Sequence, residues 1–254
     1  MKNFLVALIF SYTALIAEEE HFALLTCMKS GTHYLKGVLE EATGKPSHMH
    51  EKDYTKHGFV VNHLGAYADP AYKTILLYRD PRDVFVSYAY HVMEQIYALW
   101  EKQESKAELH WIAPYTRQFA EMDISSRILY LLDDSKPNEL KLHIPHLTKR
   151  VFELAKQQPV LCIRFEDIIG NRGGGSDEAQ KRAFDQIHDF LGLSVSKAGL
   201  LNIAKQKWGH SWNFRSGQIG SWQKFFTKAV KKRFKESRYG EMLIQLGYEK
   251  NNDW

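Results

Sequence analysis

Lys29-Ser30-Gly31-Thr32 is the segment of this chain whose residue types and order are best suited to chemistry. It follows an apolar run, His21 to Thr26. It precedes a stretch in which Leu35, Val38 and Leu39 recur at helical spacing until Gly44 and Pro46 close it. A strand that enters a polar loop and then a helix is an anion site by construction. The first helical turn presents free backbone N–H groups, Gly31 lets the backbone approach closely, and Lys29 adds a full charge. The chemistry this favours is binding or transfer of a phosphate-like group. The loop is not a Walker A motif, because no glycine stands five or six residues before a GK[ST]. At ~6% per position, four fixed residues recur by chance in about one chain in 300 of this length, so the tetrapeptide needs support from its surroundings.

The surrounding elements supply it. Gly58 to Val61 reads as a short strand that ends at Asn62-His63, and Lys73 to Tyr78 as another, with Ile75, Leu76 and Leu77 in unbroken apolar order. Such runs suit a parallel sheet covered on both faces. Asp80-Pro81-Arg82-Asp83 is a helix start, with proline in the first turn and acids at the N-terminus. Pro159 to Phe165 is a further buried-type strand, Gly173-Gly174-Gly175 a loop, and Glu178 to Leu191 an amphipathic helix. Residues 92–157 read as a polar helical insertion with breaks at Pro114, Pro137 and Pro145. Strands alternating with helices predict a three-layer α/β domain around a parallel sheet, over residues 18–254.

Composition limits the alternatives. The chain has 254 residues, 44% hydrophobic and 25% charged, which excludes a disordered chain, a collagen and a coiled coil. Scaling of surface with mass lets a chain of this size hide roughly 70–75% of its unfolded surface. Two cysteines exclude a disulfide scaffold and a cysteine-based zinc site, and none of the twelve histidines forms HxxxH or HExxH. The sequence therefore predicts no metal. The net charge of +4 is unevenly placed: residues 202–238 carry ten lysines and arginines against one acid, Glu236, so the rest of the chain is net acidic. A basic stretch of this kind implies either a polyanionic ligand or a solvated helix face.

The N-terminus is a separate matter. Lys2 precedes an apolar stretch from Phe4 to Ile16, followed by Ala17 and Glu18 to Glu20. Residues 1–17 thus have the shape of a secretory signal peptide, with Leu15 larger than the cleavage rule prefers. The other readings are a helix packed on the domain or a start codon placed too far upstream. Export and a cytoplasmic location both stay open.

Four motifs, in order, resemble those of the sulfotransferases that use 3′-phosphoadenosine 5′-phosphosulfate (PAPS). Residues 27–34, CMKSGTHY, resemble the family's phosphosulfate loop, PKSGTTW. Residues 78–91, YRDPRDVFVSYAYH, resemble YRNPKDVAVSYYHF, and Phe165-Glu166-Asp167 matches YED after a strand. Residues 214–222, FRSGQIGSW, resemble FRKGxxGDW. The resemblance implies a P-loop-like phosphate site and a role for each matching position. Lys29, Ser30, Gly31, Thr32 and His33 would hold the 5′-phosphosulfate. Tyr34 stands where the family stacks a tryptophan on adenine, with Phe165 and Phe214 near the same base. Arg79, Ser87, Arg215, Ser216 and Gly217 would bind the 3′-phosphate; a planar guanidinium forks well onto phosphate oxygens. His63, in Val61-Asn62-His63-Leu64, falls where the family has the base of KTHLP, with His91 and His110 as competitors. The implied catalytic set is Lys29, His63 and Ser87.

The departures carry their own expectations. His33 replaces a threonine, and an imidazole beside phosphate gains a proton more readily. Val61 and Ser216 each replace a lysine, which weakens the expected hold on the donor. The family's dimer motif, KxxxTVxxxE, reads here as Gln223, Thr227, Lys228 and Lys232, so the expectation is a monomer or an atypical dimer. The acceptor is a small-molecule, glycan or lipid hydroxyl, or an amine. Tyr97, Trp100, Trp111, Tyr115 and Phe119 either form its wall or pack between helices. Rival readings are a P-loop kinase and a non-catalytic nucleotide-binding module of the same fold. A nucleic-acid binder, drawing on Trp208, Trp212, Phe214, Trp222, Phe225 and Phe226, comes after these, because the FRSG match already accounts for the start of that stretch.

Overall fold

The structure is a computed structural model that describes residues 21–49, 59–63, 72–102, 113–136, 159–211 and 214–254. The signal-like residues 1–17, His110, Trp111 and Trp212 lie outside them.

Five strands form one parallel sheet: β1 (Phe22–Thr26), β2 (Ser47–Met49), β3 (Phe59–His63), β4 (Lys73–Tyr78) and β5 (Val160–Arg164), in the order β2-β3-β1-β4-β5. The expected α/β architecture is present. All four strands read from the sequence occur within one or two residues of their expected bounds. β2 is the strand that periodicity missed; it has three residues, at the sheet edge, and no apolar run.

Alternate strand residues feed two cores, as the period of two requires. Phe22, Leu24, Phe59, Val61, Ile75, Leu77 and Ile163 face helices α1 (Thr32–Thr43), α6 (Asp177–Leu191) and α7 (Lys197–Lys207). On the other face, Leu25 and Leu76 meet α2 (Pro81–Lys102), α3 (Ala113–Glu121), α4 (Ile124–Leu131), α8 (Lys228–Glu236) and α9 (Arg238–Gln245). A short helix, α5 (Phe165–Ile168), follows β5 directly. Among the described residues no helix is long and apolar enough to cross a membrane.

Two boundaries differ from the sequence reading. α2 runs unbroken through residue 92, so the helical region has no seam at its expected start. Pro114 opens α3 instead of breaking a helix; the first turn has no intrahelical N–H partner to lose there. Phe119 is buried against Tyr130, which makes it a helix-packing residue and not a wall.

Sheet order fixes where a ligand can sit. From β1 the chain moves toward β2, whereas from β4 it moves toward β5. The crevice between the carboxyl ends of β1 and β4 is thus a topological switch point, the usual ligand position in open α/β sheets. The loop with Lys29 leaves β1 at that point, and Arg79 leaves β4 opposite it.

Candidate active site

The first wall is the loop from β1 to α1. The Cys27 N–H donates to the Leu77 carbonyl at 3.0 Å, which ties the loop to β4, and Ser30 N–H closes a turn on the Cys27 carbonyl at 3.2 Å. Lys29 has φ 62°, the sole left-handed residue other than glycine among those described, and Gly31 follows at φ 93°. Strained backbone of this kind costs about 1–3 kcal/mol and tends to persist where a site requires it. A Cβ on Gly31 would lie 2.6 Å from the Phe165 ring, so only glycine lets the loop pass this close to the start of α5. Helix α1 begins at Thr32 with no capping side chain and no acid in its first turn. The Leu35 N–H makes the first intrahelical bond, to Gly31, so the N–H groups of Thr32, His33 and Tyr34 have no partner within the helix. Burial pushes the Cys27 thiol up to about 12, which removes thiolate chemistry from the loop at neutral pH.

The second wall starts at Arg79. Its buried guanidinium donates to the Lys29 carbonyl at 3.3 Å and to the Gln218 carbonyl at 2.7 Å, lies 3.7 Å from Asp83, and stacks 4.4 Å over the Phe165 ring. Its Nε–H has no hydrogen-bond partner among the described residues. Arg215 stacks 4.2 Å over the Tyr90 ring of α2.

Between the walls is a cavity of about 530 Å³. It is lined by Lys29, Gly31, Thr32, His33, Tyr34, Arg79, Ser87, Phe165, Phe214, Arg215, Ser216 and Gly217, so residues from four separate motifs meet in one space. The cationic side chains Lys29, Arg79, Lys207 and Arg215 line it, and no carboxylate is among its described lining residues. That charge pattern fits a ligand with at least two anionic groups.

The family model for the sulfotransferase domain matches residues 56–245. The chain belongs to the sulfotransferase family. A solved mouse sulfotransferase, SULT7A1 complexed with PAP, superposes with a TM-score of 0.55 at 16% identity and with 89% of each chain covered. The similarity supports the fold. No curated protein matches the chain significantly.

Within this sulfotransferase domain two expected ligand contacts are used differently. Ser30 does not line the cavity: it is fully buried, and its hydroxyl donates to the carbonyls of Cys27 and Leu77. Tyr34 reaches the cavity wall but is anchored behind it, with its hydroxyl donating toward Ile168 and Ala204 at 3.2 and 3.1 Å. Burial raises the pKa of that phenol. Thr32 shares a 2.9 Å hydrogen bond with Thr26.

His63 ends β3, in register with Thr26 of β1, three residues before Lys29. Its side chain lies outside the described residues. His91 lines the cavity, as does His33. Within the chain His33 is held below the ordinary imidazole value, by burial first and then by Lys36, Lys29 and His91. This is opposite to the rise expected beside a phosphate, because the neighbours the fold supplies are cations.

The sequence reading did not place Lys207, Trp208 or Tyr90 in the site, and all three line it. Trp208 meets Tyr34 and Phe214 edge-on, at 6.0 and 5.3 Å between ring centres. A Cβ on Gly217 would come within 2.4 Å of its indole, so the glycine of FRSG is what admits this ring. The available signal was a tryptophan six residues before that motif. Other aromatics of the basic stretch serve the core: Phe226 is buried, and Trp222 stacks on Arg82 at 4.0 Å.

Proposed function

We propose that this chain transfers a sulfuryl group from PAPS to a hydroxyl or amine acceptor. The observation that carries the reading is the cavity itself: cations from the Lys29 loop, Arg79 and Arg215 surround it without a carboxylate among its described lining residues. The 5′-phosphosulfate lies against the loop amides and Lys29; the 3′-phosphate lies between Arg79, Ser87 and Arg215; Trp208, Phe214 and Phe165 flank the base. The Nε–H of Arg79, without a partner among the described residues, fits an anionic acceptor supplied by a ligand.

In the transfer, the bond between sulfur and the bridging phosphate oxygen breaks as the acceptor oxygen or nitrogen bonds to sulfur. The electron pair leaves with the 5′-phosphate, giving 3′-phosphoadenosine 5′-phosphate. The acceptor's proton goes to an imidazole nitrogen of His63. Lys29 and the first-turn amides stabilise charge growing on the departing phosphate, and the two walls align the reacting groups. The register of His63 beside Thr26, three residues before Lys29, supports its assignment as base; His91, which lines the cavity, is its competitor.

Calorimetric titration tests the donor. The product 3′-phosphoadenosine 5′-phosphate should bind at least about tenfold tighter than AMP, a difference of ~1.4 kcal/mol. Equal affinities, or tighter binding of ATP, would replace this reading with the kinase. We further propose a monomer, or a dimer through another surface than residues 223–232; sedimentation velocity at micromolar concentration checks it.

A further inference from the structure

The glycine-rich turn after α5 has no part in the scheme above, yet it is built against the site. Gly170 and Gly174 have φ of 64° and 82°, and the Gly175 N–H closes the turn on the Gly170 carbonyl at 2.9 Å. The outer edge of the turn docks on the segment that follows Arg215. The Gly173 carbonyl accepts from Ile219 N–H at 2.9 Å, and the Arg172 carbonyl accepts from the Gln218 side-chain amide at 2.9 Å. The approach is close: a Cβ on Gly173 would meet the Ile169 side chain at 2.3 Å and the Gly217 carbonyl oxygen at 2.7 Å, the second a backbone atom that cannot rotate away.

Asp83 holds the same segment from the opposite side. Its carboxylate is fully buried and accepts from the Gly220 N–H at 2.8 Å and the Trp222 N–H at 2.9 Å. The oxygen that takes Gly220 faces Arg79 at 3.7 Å, and Arg79 donates to the Gln218 carbonyl, the other end of the peptide unit whose Ile219 N–H the Gly173 carbonyl takes. Arg79 and Arg215 come from elements 136 residues apart in sequence, since one number is 79 and the other 215.

We propose that the turn at Gly173 and the carboxylate of Asp83 form a two-sided clamp on residues 217–222, which positions Arg215 against Arg79 for the donor's 3′-phosphate. Neither Gly173 nor Asp83 lines the cavity, so both are positioning residues. The proposal rests on the donor reading above. A clamp that drifts should loosen the 3′-phosphate end and leave the Lys29 end in place, because the loop after β1 is tied to β4 by its own bonds.

The test is the ratio of affinities for 3′-phosphoadenosine 5′-phosphate and AMP, measured by calorimetry on the full chain. Gly173→Ala and Asp83→Asn should each cut that ratio at least about fivefold, mainly by weakening the 3′-phosphorylated nucleotide, with AMP binding changed less than about twofold. Gly192→Ala is the control. It places a Cβ at φ 66° with open space around it, so it should lower stability and keep the ratio. If Gly173→Ala does not fold, Gln218→Ala removes the exposed side-chain bonds to the Arg172 and Ser216 carbonyls and should still cut the ratio about twofold. A wild-type ratio in the folded Gly173, Asp83 or Gln218 variants would overturn the clamp while the donor reading stands. Equal loss of both nucleotides would also overturn it, as a merely structural effect. A wild-type chain with no preference for the 3′-phosphate would remove the donor reading, and the clamp with it.

Discussion

The two walls of the cavity are built on different principles. The wall from Cys27 to Thr32 is assembled within six consecutive residues: a strand end, two left-handed positions and the first turn of a helix. The wall at Arg79 gathers partners from across the chain. Asp80 N–H donates to Glu166, whose other oxygen accepts from Tyr248 at 2.9 Å. Arg82 pairs with Asp80 and Glu249 and lies 4.0 Å from the Trp222 ring and 4.7 Å from that of Trp254. Burial opposes the charge on Arg82, but the two carboxylates outweigh it and hold the guanidinium above its ordinary pKa. Burial dominates at Glu166 and Asp83 and raises both carboxyls, against the hydrogen bonds they accept. The first wall takes its shape mainly from its own backbone, whereas the second depends on partners distant in sequence.

That contrast is sharpest at Arg82. Arg82→Ala leaves two carboxylates in a buried site without their shared cation, and should cost about 3–5 kcal/mol of stability by urea unfolding. A loss under about 1 kcal/mol would mean that the second wall does not depend on this network.

The local wall should respond the other way. Lys29→Ala should lower turnover by about 10²–10³-fold and weaken the donor as well, because in the proposed reaction the lysine meets the phosphate in both ground and transition states. His63→Ala should lower turnover by about 10²–10⁴-fold with donor affinity nearly intact. Wild-type turnover should fall as pH drops through the range in which an imidazole gains its proton, and His63→Ala should lose that limb. An active His63→Ala enzyme with the wild-type pH profile would move the search to His91.

A smaller effect separates strain from charge. Lys29→Gly relieves the left-handed backbone and should gain about 1 kcal/mol of stability over Lys29→Ala, with activity lost in both. Equal melting temperatures for the two variants would mean that the strain at Lys29 is absorbed by its neighbours.

The smallest expected effect is at His33. Its folded pKa lies below the unfolded value, so between the two the unfolded chain binds more protons. Stability is full above the unfolded value of ~6.5 and falls as pH drops below it, and His33→Gln should flatten that slope. Donor binding brings negative charge to the same imidazole and should draw in a proton, seen as a buffer-dependent binding enthalpy near pH 6. A slope unchanged in His33→Gln would assign it to another histidine.

Much of the first wall was legible in the sequence because its information is local. Apolar runs specify β1, β3, β4 and β5, and the strand–loop–helix order specifies the anion site whatever surrounds it. The second wall was legible only as motifs. Arg79, Ser87, Arg215 and Gly217 could be named from the resemblance, but not the contacts that bring them together.

Tertiary structure decided the rest, for a physical reason that recurs at each position. A side chain's role depends on which neighbours the fold delivers. Ser30 turned inward because carbonyls of Cys27 and Leu77 are there to accept its hydroxyl. Tyr34 became an anchor because α5 and α7 present carbonyls to it, and Trp208 entered the cavity because Gly217 leaves room. His33 lost basicity first because it is half-buried and then because Lys36, Lys29 and His91 stand beside it, without an acid in its first helical turn. β2 exists because β3 offers it an edge, although three residues carry no periodicity of their own. The sequence by itself determined an α/β chain with a phosphate loop at the end of its first strand. Only the packing of segments more than eighty residues apart, such as Asp83 with Gly220 and Glu166 with Tyr248 and Asp80, decided how the arginine wall faces that loop.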